Sequence, residues 1–156
     1  MVRLQSAIES GDWLRAEMSY NSTLLTYDIR CKYFYKVNLY EINKKGEFPS
    51  GISLDANIWV IGLDVINKSN ESLYGFRFVK LRLVLMDEEG FEFSNFFDHL
   101  VTEKSKFAKQ CGASNFLNGF LEPNALHTGA LLYEMPESFE SLFLAVSEGN
   151  LRHLNT

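Results

Sequence analysis

Cysteine and proline are scarce in this chain, at two and three residues out of 156. Two cysteines cannot build the disulfide framework of a small secreted scaffold. Their positions, Cys31 and Cys111, have none of the paired spacing of a zinc site, so no metal is expected. They are left as two buried thiols or as one disulfide across the fold. Positive charge is short as well. Fifteen Lys and Arg against twenty Asp and Glu give a net charge of −5, which disfavours the broad electrostatic affinity that holds double-stranded nucleic acid or anionic membrane. No apolar run approaches the ~18 residues of a transmembrane segment. The opening stretch, MVRLQSAIESGDWLRAEMSY, also lacks the unbroken apolar centre of a signal peptide. Either the chain works in the cytoplasm or a targeting segment has been removed from it.

Aromatic residues are plentiful. Thirteen Phe and seven Tyr against three Pro favour strands, because aromatic and β-branched side chains pack well on a pleated surface. A chain of this length can bury ~70% of its unfolded surface without staples. With no internal repeat and no linker, residues 1–156 read as one domain.

Period-two alternation dominates the first half of the chain. A helical turn over residues 2 to 10 gives way at Trp13 to a strand with Leu14, Ala16, Met18 and Tyr20 on one face. In the next and longest alternation, Leu25, Tyr27, Ile29, Cys31, Tyr33, Tyr35, Val37 and Leu39 share one face. Arg30, Lys32, Phe34, Lys36 and Tyr40 share the other. A run this long predicts one bent strand or two strands separated by a bulge. After a loop from Asn43 to Ser53, the stretch from Ala56 to Gly90 reads as a central hairpin. Its first arm, Ile58 to Ile66, is apolar on both faces and is predicted to be covered on both. Its second arm slips phase near Val79 and Lys80, which predicts a bulge, and Asp87 to Gly90 forms a tight turn.

From Asp98 to Asn118 the alternation stops, with a short helix expected within Leu100 to Gln110; this is the long crossover of a Greek key. Strands at Leu126–Met135 and Leu142–Ser147 follow, and the tail after Gly149 is expected to fray. The fold class expected is all-β: an immunoglobulin-like antiparallel β-sandwich with Greek-key connections and at most one or two short helices.

The order of three features resembles a known family. These are an apolar strand ending in Val65-Ile66-Asn67-Lys68-Ser69, an acidic turn with Asp87 and Gly90, and a closing series Leu121, Pro123, Gly129, Leu131, Tyr133, Pro136, Leu142 and Leu144. Together, over roughly residues 24 to 147, they resemble the telokin-like immunoglobulin-fold domains of unknown function carried by bacterial exported proteins and lipoproteins. The resemblance implies an exported or envelope-associated protein and supplies no catalytic residues. Asn124 stands where the family often has glycine after the proline.

Two sets of residues are candidates for function. Arg30, Lys32 and Lys36 interleaved with Phe34 and Tyr40 could stack on and pair with a protein, peptide, glycan or single-stranded nucleic acid; a solvated sheet face is the plainer account. Asp98, His99, Cys111 and His127 supply the residue types of a thiol nucleophile or a metal site, in a spacing that matches no such pattern. The expectation is therefore a non-enzymatic binding module without a cofactor, the alternative being an intracellular hydrolase or metal-binding protein built on that second set. Asn21-Ser22-Thr23, Asn67-Lys68-Ser69 and Asn70-Glu71-Ser72 are formal glycosylation sequons, for which turn preference is an equal account.

Overall fold

Period-two patterning produces strands throughout the computed structural model of the chain, which describes residues 1–20, 22–46, 48, 51–74, 83–94, 109–111 and 120–154. In chain order the elements are β1 (Val2–Arg3), α1 (Leu4–Ser10), β2 (Leu14–Tyr20), β3 (Thr23–Lys36), α2 (Leu39–Lys44), β4 (Ile58–Asn67), β5 (Leu73–Tyr74), β6 (Leu83–Met86), β7 (Glu92–Ser94), β8 (Phe120–Leu121), β9 (Leu126–Glu134), β10 (Phe143–Val146) and β11 (Gly149–His153). A five-stranded sheet has the order β11-β2-β3-β4-β9 and a four-stranded sheet the order β1-β10-β6-β7, with β5 and β8 forming a separate short ladder. Every one of these pairings is antiparallel. The protein is an all-β sandwich with two short helices among the described residues.

The core lies between the inner faces of the sheets. Leu14, Ile29, Ile61, Leu63 and Tyr133 of the larger sheet meet Leu83, Leu85 and Leu144 of the smaller, all essentially without solvent contact. Each large aliphatic side chain so buried contributes about 1.5–3 kcal/mol. A polar tie crosses the layers: the Tyr133 hydroxyl donates to the Leu83 carbonyl at 2.9 Å. The first turn of structure is also as expected. α1 ends at Gly11, whose left-handed φ of 68° lets its N–H bond to the Ala7 carbonyl, and the helix packs beside β3.

The long alternation is broken by a bulge. Cys31 pairs with Leu63 but Tyr33 pairs with Gly62, leaving Lys32 without an opposite residue. Leu25, Tyr27, Ile29 and Cys31 point inward before it. Beyond it Phe34 packs against the core, while Tyr33 and Tyr35 are 39% and 46% exposed. The expected continuous faces are thus corrected, because one unpaired residue turns the following side chains over. Leu39 and Tyr40 belong to α2 rather than to a strand. Asn38 caps that helix, its side-chain oxygen accepting the Glu41 N–H at 3.2 Å.

The stretch from Ala56 to Gly90 is not a hairpin. Both edges of β4 are occupied, by β3 and β9, and β6 lies in the other sheet between β10 and β7. Neighbours in sequence usually pair; here the chain crosses between layers instead. The bulge expected near Val79 and Lys80 lies outside the described residues, as does the crossover expected from Asp98 to Asn118, up to residue 108 and again from 112. The acidic turn is as expected: Gly90 has a φ of 89°, and the Asp87 carboxylate accepts the Glu89 and Phe91 N–H groups, each at 2.9 Å.

β4 is covered on both faces. Ile58 and Val60 sit on the outer side in a second apolar cluster with Val37, Leu39, Ile42 and Cys111. Cys31 lies in the main core and Cys111 in this outer cluster, on opposite sides of the sheet, and both are free thiols. The disulfide alternative falls. The expected fraying after Gly149 is corrected over Gly149–His153, since β11 pairs with the outer edge of β2 and buries Leu151. The chain passes from one sheet to the other within Ser147 and Glu148, and a Cβ on Gly149 would lie 2.6 Å from the Glu17 carbonyl. Only glycine fits that close approach.

Candidate functional site

The bulge divides the five residues Arg30, Lys32, Phe34, Lys36 and Tyr40 among three places. Arg30 and Lys32 stay on the outer face of the larger sheet. There Asp64, from the middle of β4, is buried at 3% exposure beneath them. Arg30 Nε and Nη2 donate to Asp64 Oδ2 at 3.1 and 2.7 Å, and the Thr128 hydroxyl donates to Oδ1 at 2.8 Å. Lys32 Nζ stands 3.6 Å from Oδ1. Burial pushes the Asp64 carboxyl up, but the hydrogen bonds from Arg30 and Thr128 and the two cationic charges outweigh it and hold the group below its ordinary value. The Arg30 guanidinium also lies 4.6 Å from the ring centre of Trp13.

Next to this cluster Arg15 grips the buried Asp28 with two hydrogen bonds, Nε to Oδ1 at 2.9 Å and Nη2 to Oδ2 at 3.1 Å. The paired Arg15 and Asp28 sit opposite each other in the β2–β3 register, and Arg30 and Asp64 do so in the β3–β4 register. Cross-strand charges of opposite sign in this geometry serve the sheet. Arg30 and Lys32 are therefore committed to Asp64 and do not form a free cationic patch.

Phe34 lies on the other side of the sheet at one end of the sandwich. It stacks on Trp59 with ring centres 4.5 Å apart, and Phe139 meets Trp59 edge-on at 5.5 Å. This is core packing at the end of the layers. A small hollow of about 210 Å³ opens beside it, between Arg3, Gln5 and Glu140.

Lys36 and Tyr40 remain together. They line a recess of about 720 Å³ with Asn38, Asp55, Asn57 and Glu137 around an apolar floor of Val37, Leu39, Leu54 and Ala56. Three connections build it: the segment from β3 into α2, the approach to β4, and the turn after β9. A second hollow of about 400 Å³ shares Asp55 and Ala56 with it. The walls are fixed by backbone bonds, Val37 N–H to the Ile58 carbonyl at 2.8 Å and Met135 N–H to the Asn57 carbonyl at 2.9 Å. At the rim the Tyr40 hydroxyl donates to Asp55 Oδ1 at 2.8 Å. That bond pushes the Tyr40 phenol up and holds the ring, which is 56% exposed, in place. The size lies in the range of small-molecule sites, ~300–1,000 Å³.

Of the hydrolase set, the described residues Cys111 and His127 are not brought together. Asp98 and His99 lie outside the described residues. Cys111 is buried in the outer cluster and its thiol is pushed up to about 12 by burial, which leaves it without a nucleophilic thiolate at neutral pH. His127 pairs with Val65 and so faces the opposite side of the sheet from Cys111. Among the described residues no three His, Cys, Asp or Glu side chains group as metal ligands, and no helix is long and apolar enough to cross a membrane.

Several residues of these sites carried weak sequence signals. Asp64 stands alone in the apolar run WVIGLDVI, and a lone carboxylate there points to a buried partner. Asn38 and Glu41 have the spacing of a capping box. Asp55, Asn57 and Glu137 are ordinary loop residues in sequence, and only the fold gathers them.

Comparison with protein-family models, with curated proteins and with solved structures gives no match to this chain. The class is accordingly defined by architecture and site alone: an all-β sandwich that carries a polar recess at one end.

Proposed function

We propose that this protein is a non-enzymatic interaction module that holds its ligand in the recess beside α2. The observation that carries this reading is convergence: polar side chains from three separate connections meet over a partly buried apolar floor at one end of a sandwich. Loops grouped at a sandwich end are free to present side chains because the strands, not the loops, hold the core. The Arg30 and Lys32 face, by contrast, spends its charge on Asp64.

The same reading keeps an immunoglobulin-like, telokin-like kinship and an exported or envelope-associated setting. Its support is the turn at Asn67 to Ser69, the Asp87 to Gly90 turn, and the strand carrying Gly129, Leu131 and Tyr133. The test of the binding site is amide shift mapping by ¹H–¹⁵N NMR against a mixed set of short peptides, saccharides and nucleotides. Ligands are expected to move the amides of Lys36 to Tyr40, Asp55 to Asn57 and Glu137. Hits that move Arg15, Arg30 and Lys32 instead would refute the placement.

A further inference from the structure

We infer that the recess beside α2 accepts a neutral saccharide; the inference rests on the reading of that recess as the ligand site. The charges in its lining decide against ionic ligands. Among the described residues Lys36 is the one cation of the lining, set against Asp55 and Glu137, whereas a phosphate or nucleotide calls for converging cations or unpaired backbone N–H groups. An extended peptide adding to a strand is disfavoured as well. It needs free main-chain donors and acceptors, and the Val37 N–H and Asn57 carbonyl at the walls are already bonded within the fold.

What the recess does offer is a mixture of donors and acceptors above carbon. Asn38 accepts the Glu41 N–H with its oxygen, so its side-chain NH₂ is the part left to donate. Asp55 accepts the Tyr40 hydroxyl with Oδ1, which leaves Oδ2 to accept. Asn57 can do both, and Lys36 and Glu137 add one donor group and one acceptor group. Sugar hydroxyls both donate and accept, and so match a lining of this kind without demanding net charge. A pyranose also has an apolar C–H face. The Tyr40 ring, exposed at the rim and held by Asp55, supplies a flat partner for it, and a preset ring loses little freedom on binding.

The test uses the full chain with maltose, lactose and N,N′-diacetylchitobiose as probes, read by saturation-transfer NMR and by ¹H–¹⁵N shifts. At least one is expected to receive saturation and to shift the amides of Tyr40 and Asn57. Tyr40→Ala should weaken it on the order of tenfold, the scale of one lost ring contact. Tyr40→Phe, which keeps the ring and drops the bond to Asp55, should retain most of the affinity. Tyr35→Ala, on the outer face, should leave affinity unchanged. If the three sugars give no saturation while peptides or nucleotides shift these same amides, the saccharide assignment is overturned and the recess stands as the site. If no probe of any class shifts them, the site itself is overturned. Unchanged circular dichroism and melting midpoint in Tyr40→Ala establish that any loss is one of binding.

Discussion

Replacing Asn67 should be among the most damaging single changes in the chain, although in sequence it stands in a loop and opens a glycosylation sequon. Its side chain has no solvent exposure. The carboxamide nitrogen donates to the carbonyls of Glu71 and Leu121, both at 2.8 Å, and the oxygen accepts the Ser69 N–H at 2.8 Å. One residue thereby closes the turn after β4 and ties that turn to β8. Asn67→Ala removes three hydrogen bonds of about 1 kcal/mol each and leaves the buried Leu121 carbonyl without that donor, for a total of about 3–4 kcal/mol. Against a stability of about 5–15 kcal/mol for a domain, that is a large share. Urea unfolding followed by tryptophan fluorescence reads it, with an unchanged slope showing that the loss is one of native stability. Hydrogen exchange of the Leu73 and Tyr74 amides should quicken as the β5–β8 ladder loosens. Asn67→Asp sharpens the test. A carboxylate oxygen would face two carbonyls, so its folded pKa rises, and the penalty at neutral pH should shrink on acidification as the carboxyl protonates and donates again. A loss under about 1 kcal/mol in Asn67→Ala, or an Asn67→Asp protein as stable as the parent at pH 7, refutes this account.

The Asp64 carboxyl, held below its ordinary value of 3.8, contributes stability that is complete above that value and is lost as pH falls through the lower folded value. Asp64→Asn should therefore be less stable at pH 7 and show a flatter fall in chemical-denaturation midpoint between pH 5 and 2, taken as about the range of acid loss for a paired Asp. Cys31 and Cys111, both pushed up to about 12 by burial, should resist iodoacetamide in the native protein and both react once it is unfolded; rapid native labelling of either would contradict their burial. Gly149→Ala sets a Cβ against the backbone carbonyl of Glu17 and should cost about 1–3 kcal/mol. For Gly62→Ala the nearest atoms to the new Cβ all belong to the half-exposed Tyr33 ring, which can swing away, so its cost should be clearly smaller in the same denaturation assay. Deleting Lys32 restores one-to-one opposition across β3 and β4 with Cys31 still inward and Tyr33 outward, and should lower stability by about 1 kcal/mol at most, the worth of its exposed bridge; deleting Cys31 instead drives Lys32 towards the core and should prevent folding.

Elements whose polarity pattern matches the cover on their faces were legible. β2 is found over Leu14–Tyr20 as the alternation predicts, and β4 is apolar on both faces because clusters cover both. Strand partners were not legible. Nothing in the composition of β4 says whether its neighbour is the next strand or one much later, since apolar faces are interchangeable as far as burial is concerned. The position of the bulge was hidden for a related reason: Tyr33, Phe34 and Tyr35 are all aromatic, so turning the strand over leaves its hydrophobic pattern unaltered. The end of that strand carried a readable signal in Asn38 and Glu41, and the alternation of Val37 and Leu39 obscured it. β11 was hidden by its polar composition, with Leu151 alone anchoring five residues. Of the recess, Lys36 and Tyr40 were legible as polar and aromatic side chains near one another. Asp55, Asn57 and Glu137 were not, because their proximity is a property of the pairing.

Lys32, the residue with no opposite on β4, explains how one strand serves both the scaffold and the candidate site. Before it, β3 behaves as a central strand: its inward side chains fill the core and its outward Asp28 and Arg30 bind charges on the adjacent strands. After it, the inward position passes to Phe34, which closes the end of the core against Trp59, and Tyr33 and Tyr35 turn outward as a stacked pair with centres 5.6 Å apart. The strand then ends at Lys36 and Asn38 starts α2, so the chain is delivered to the rim of the recess with Tyr40 in the first turn of a capped helix. Had the alternation run on unbroken, Phe34 would stand in water and the end of the core would lack its aromatic cover. The added residue thus removes the basic, aromatic face that the alternation suggests, and sets in its place a neutralised charge ladder, a sealed core end and a polar recess.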